Sequence, residues 1–172
     1  MTFLQHHILA QALTALTVSS LGLLVFLADP KKRLNQIFGL YSLSISGWAF
    51  TECFIAGAVT QADANIWSYL TWPPIIFIAP TFLHTILLST EGKIRRNTLL
   101  KISYFLALTF LLLHLFTHTV TASTRPVGYV RFHSRLTPFG WLMPGSFLVF
   151  VNIALWKLWR AYREATGQHR IN

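Results

Sequence analysis

The sequence predicts an all-α fold, a polytopic bundle of five transmembrane helices, and three observations carry that prediction. Composition is too apolar for an ordinary water-soluble domain: 53% of the 172 residues are hydrophobic and only 11% charged, with a mean hydropathy of +0.52. The charges leave uncharged windows at 1–28, 34–51, 64–90, 102–124 and 136–156, each supplying most or all of the roughly 20 residues that a spanning helix needs. The cations, finally, fall in alternate connections. Lys31, Lys32 and Arg33 occupy the first, Lys93, Arg95, Arg96 and Lys101 surround the third, and Lys157, Arg160, Arg163 and Arg170 lie in the tail. The opposite face has only Arg125, Arg131 and Arg135. The positive-inside rule then places the N-terminus outside and the C-terminus in the cytoplasm. This distribution accounts for the net charge of +9 without a nucleic-acid partner; the expected partner is the lipid bilayer, with anionic headgroups near the inner cations.

The expected spans are 7–28, 36–58, 66–89, 98–118 and 139–160, joined by an external loop at 119–138 and followed by a cytoplasmic tail at 161–172, all within one membrane domain, 1–172. The first span mixes Leu, Val and Phe with Gln11, Thr14, Thr17, Ser19, Ser20 and Gly22; small and hydroxylic residues of this kind serve close helix packing in lipid. Met1–His7 has no Lys or Arg and no small-residue cleavage motif follows, so the segment reads as a retained span, not a signal peptide. Asp29-Pro30 stops it, and the three cations that follow make a short inner loop.

The second span holds Trp48 and Glu52, four residues apart and so on one helical face; Glu52 is the acid inside an apolar run. It lies about 24 Å above the cytoplasmic helix end, where a carboxyl must be protonated, paired or wet. Two readings are open: a protonated Glu bonded to a neighbouring helix, or a sensing or binding group. Cys53 has no partner cysteine and reads as a small packing residue.

Trp67, Tyr69 and Trp72 open the third span as an outer aromatic belt. Deeper, Pro73, Pro74 and Pro80 interrupt the backbone ladder and predict a kink whose freed carbonyls need partners. His84 lies near the inner end of this span. His114 lies about 22 Å up the fourth, a separation in depth that disfavours a shared haem. His114 and His118 share a face at i and i+4, but two histidines without a third ligand are weak grounds for a metal, and no cofactor is expected. The 119–138 loop alternates partly between apolar and polar residues, predicting a short β-hairpin or extended lid. The fifth span contains Trp141 and Pro144 and ends in Trp156, Trp159 and Tyr162 among cations, suited to the inner interface.

Pro30, Lys31, Asn35 and Phe38, then Trp48, then Pro80-Thr81-Phe82-Leu83-His84, then Tyr162, Gly167 and Arg170 follow an order that resembles the N-terminal seven-transmembrane sensor region of bacterial histidine kinases and some diguanylate cyclases. The resemblance implies a sensory input domain in the bacterial inner membrane, here a truncated or split one. The family pattern continues through two further helices into a kinase or cyclase module that lies outside these residues. It also implies dimerisation through the signalling protein and no enzymatic activity of the chain by itself. A stand-alone transporter-like or accessory membrane protein is the alternative reading. The candidate ligand-binding residues are Trp48, Glu52, Trp72, His114 and Trp141, for a small hydrophobic or cationic ligand. Glu52 and His114 have matched depths, so they either face one outward-opening cavity walled by the three tryptophans or sit on unrelated faces, each bonded locally.

Overall fold

The structure, a computed structural model, describes residues 2–91, 97–117, 119–127 and 130–168. Lys93, Arg95, Arg96, His118 and Arg170 lie outside them. Five helices, α1 (Phe3–Ala28), α2 (Arg33–Gly57), α3 (Gln61–Glu91), α4 (Thr98–Phe116) and α5 (Leu142–Gln168), carry the fold, with one antiparallel pair, β1 (Thr121–Val127) and β2 (Val130–Leu136), and a 3-10 turn at Phe139–Trp141. The hairpin expected in the 119–138 loop is therefore present, with Thr121 opposite Leu136 and Arg125 opposite His133.

Among the described residues, four helical segments, Phe3–Ala28, Gln61–Glu91, Thr98–Phe116 and Phe139–Thr166, are long and apolar enough to cross a membrane. α2 is not among them, although its 25 residues make it about 38 Å long. Its apolar character is diluted by Ser42, Ser44, Ser46, Thr51 and Glu52. All four hydroxylic residues are buried, because α2 packs between α1 and α3. Its polar face is satisfied inside the protein: Ser44 and Thr51 donate to carbonyls of α2 itself one turn back, and Thr51 also bonds Thr71 of α3. Close approach is built in. A Cβ at Gly22 of α1 would stand 2.4 Å from the Ser42 Cβ, far inside contact, so only glycine lets the two helices meet there.

Helix ends differ from the expected ones where caps extend them. Thr2 and Gln5 form a capping box that starts α1 at Phe3. Thr60 and Asp63 bond reciprocally at 2.7 and 3.1 Å, so α3 begins at Gln61, several residues before its apolar run. Asn97 accepts from the Leu100 N–H and caps α4. At the other end of the chain α5 runs on to Gln168, held by an Arg160–Glu164 pair one turn apart and by Arg163 over the Trp159 ring. The α1–α2 turn is stapled by Asn35, which donates to the Asp29 carbonyl, and by Gln36, which donates to that of Pro30.

α3 is the hub. It packs on α2, α4 and α5, whereas α4 and α5 make little contact with one another. One apolar cluster joins Trp72, Ile76, Ala107, Phe110, Val120 and Met143; a second joins Ala79, Leu83, Ile86, Leu87, Phe150 and Ala154. The outside is apolar as well: Leu13, Leu16 and Leu24 of α1, Phe105 of α4 and Leu148 of α5 are each at least half exposed. Such an exterior is far larger than a water-soluble monomer presents and suits hydrocarbon.

Candidate functional site

The prolines of α3 set the site. Pro73 has no N–H, so the Tyr69 carbonyl loses the donor that the helix would have supplied. His114 supplies it: Nε2 lies 2.9 Å from the Tyr69 oxygen. That bond makes Nε2 the protonated nitrogen of the neutral ring, and Nδ1 then accepts from the Thr121 hydroxyl at 3.3 Å. The imidazole also stacks on the Tyr69 ring, 4.6 Å between centroids, and the Tyr69 hydroxyl donates to the Leu115 carbonyl. His114 is thereby 1% exposed, with both nitrogens committed. Its place is a clasp between α3, α4 and the start of β1.

Glu52 stands elsewhere. It lines a cavity of about 320 Å³ with His7 and Gln11 of α1, Trp48 and Ala56 of α2, Trp72 and Ile75 of α3, and Phe132, His133 and Ser134 of β2. Its polar neighbours are the Trp48 indole and the His7 ring. The hairpin closes one side of this chamber and is tied down firmly. Asn65 Oδ1 accepts from both the N–H and the hydroxyl of Thr124, at 2.9 and 2.8 Å, Gln61 donates to the Thr124 carbonyl, Ser68 donates to Ser134, and Arg131 donates to the carbonyl of Ala58.

A second cavity, of about 300 Å³, lies in the wedge that α4 and α5 leave on α3. Trp48, Trp72 and Trp141 all line it, with Ile75, Ile76 and Ala79 of α3, Ala107 and Phe110 of α4, and Met143, Pro144 and Phe147 of α5. Its wall is almost wholly apolar. Trp141, two-thirds exposed, stands at the rim. Trp48, Trp72 and Ile75 are common to both chambers and form the partition between them.

Of the five residues expected to bind ligand, the structure brings Trp48, Trp72 and Trp141 to one cavity and places Glu52 with Trp48 and Trp72 in the adjoining one. His114 lines neither. Trp67, expected in an aromatic belt, stacks on Phe54 with centroids 4.2 Å apart. Cys53 packs against α1, its thiol 3.6 Å from the Ile8 carbonyl. Sequence reasoning missed His7, Gln11, Phe132 and His133. The histidine at the head of the first span and the aromatic–histidine step in the hairpin were the available signals, but only the tertiary fold brings them to Glu52. Among the described residues no group of three His, Cys, Asp or Glu converges as a metal site.

His84, singled out by the resemblance, bonds the Tyr104 hydroxyl at 3.1 Å near the other end of the bundle. Comparison of the chain with protein-family models, with curated proteins and with solved structures finds no significant match.

Proposed function

We propose that the chain is a membrane-embedded sensory input domain that binds a small amphipathic ligand from the outer face and relays its presence through α5. In this reading all five helices span the bacterial inner membrane, with the N-terminus and hairpin outside and the cation-rich helix ends in the cytoplasm. The observation that carries it is the pair of adjoining chambers, one apolar and one holding Glu52, that share Trp48 and Trp72. A concave apolar site with a few convergent polar groups is the usual form of a small-molecule site.

The output path follows from the walls. α5 lines the apolar chamber through Met143, Pro144 and Phe147 and continues as one helix to Gln168. Occupancy that favours one seating of α5 on α3 would therefore bias the inner end of that helix. The resemblance to kinase and cyclase input regions supports the same direction of signalling, and the chain acts by binding, not by turnover.

Spin labels at Ser89→Cys and Leu158→Cys in a Cys53→Ser background test the relay. A ligand that raises the thermal stability of the purified chain should also change the distance between the labels. Stabilisation with an unchanged distance would argue for a stand-alone binding or carrier protein instead.

A further inference from the structure

The indole Nε1–H of Trp72 has no hydrogen-bond partner, and it is the one buried side-chain nitrogen or oxygen in that condition among the described residues. Trp72 is 7% exposed, and in hydrocarbon an unmatched donor is costly. The neighbouring polar groups are already matched. Ser103 donates to the Leu100 carbonyl and Ser146 to that of Met143, while Thr71, beside Trp72 in sequence, bonds Thr51. A donor left over in so closely matched a bundle, on a residue that lines both chambers, marks where a ligand's acceptor belongs.

Resting on the ligand-binding reading above, we propose that the site takes a neutral medium-chain acyl amide: its carbonyl accepts from Trp72 Nε1–H, its N–H donates to Glu52, and its acyl chain fills the apolar chamber. Each part answers one feature. The apolar chamber, about 300 Å³, has room for on the order of ten water-sized groups, which matches a chain of about eight carbons with its carbonyl. Trp72 demands an acceptor at the partition, which a protonated amine lacks. Glu52, beside the Trp48 indole, keeps a carboxyl oxygen able to accept in either protonation state, so a donor next to the ligand's acceptor can be matched there. A secondary amide offers both on separate atoms, the carbonyl oxygen and the N–H, so that each can face its own residue. His7, Gln11 and His133 then surround whatever extends from the amide nitrogen.

The test uses the full chain in lipid nanodiscs with indole-15N tryptophan and three probes of equal chain length: N-methyloctanamide, octanoic acid and octylamine. The amide should bind most tightly and move the Trp72 Nε1–H resonance downfield. Trp72→Phe should weaken amide binding about tenfold, the loss of roughly one hydrogen bond. Glu52→Ala should weaken it similarly, and Glu52→Gln, which keeps an acceptor oxygen, should not. An unmoved Trp72 resonance at saturating amide overturns the proposal even if Trp72→Phe fails to fold. Preferential binding of octylamine, abolished in Glu52→Gln, would overturn the amide assignment while leaving the ligand-binding reading in place. Failure of all three probes to bind would overturn both.

Discussion

At the scale of single residues, two buried rings of the same neighbourhood have opposite duties. His114 satisfies a carbonyl that Pro73 strands, so its removal leaves that carbonyl and the Thr121 hydroxyl without partners. His114→Ala should therefore destabilise the chain by about 1–3 kcal/mol, the cost of a buried unsatisfied group together with lost packing, measured by thermal unfolding in detergent. His114→Gln, which retains a donor, should recover part of the loss. Trp72 packs in the first apolar cluster but its N–H satisfies nothing in the protein, so Trp72→Phe gives up indole packing while removing an unmatched donor, and the unliganded chain should lose less stability than it does on His114→Ala. A Trp72 Nε1–H resonance already shifted downfield in the unliganded chain would show that its N–H has a partner after all.

Among the elements, α2 and the hairpin decide the site, and they show how far a sequence can be read. Uncharged windows locate helices well, because charge is expensive in hydrocarbon, and all five windows contain one. Caps such as Thr60 with Asp63 extend helices beyond those windows, which charge spacing alone does not reveal. The depth match of Glu52 and His114 was legible, but depth leaves the azimuth of each helix open; packing turns His114 toward Tyr69 and leaves Glu52 facing α1 and β2. The Pro73 lesion was likewise visible as an unsatisfied carbonyl, though not the identity of its donor. Two outcomes follow for these elements. Gly22→Leu should drive α1 off α2, since its Cβ would collide with Ser42; overpacking of this kind costs about 1–3 kcal/mol, and a shift in thermal midpoint would register it. Asn65→Ala should free the hairpin by stranding two Thr124 donors, seen as faster amide exchange across 121–127 with little change in α4.

For the whole molecule, the bundle is matched inside and apolar outside, with α3 as hub and a ligand-sized wedge between α4 and α5. Reporter fusions after Asp63 and Thr124 should read external, and those after Lys32, Arg96 and Arg163 cytoplasmic; a reversal of any one removes the five-span topology. A ligand that enters from the outer face requires the Glu52 chamber to open to the outside of the membrane. Gln11 lines that chamber, so Gln11→Cys in a Cys53→Ser background tests it most directly, using a membrane-impermeant maleimide on intact spheroplasts. Labelling from outside is expected, slowed by an amphipathic ligand of the site. Labelling only after the membrane is permeabilised would contradict it.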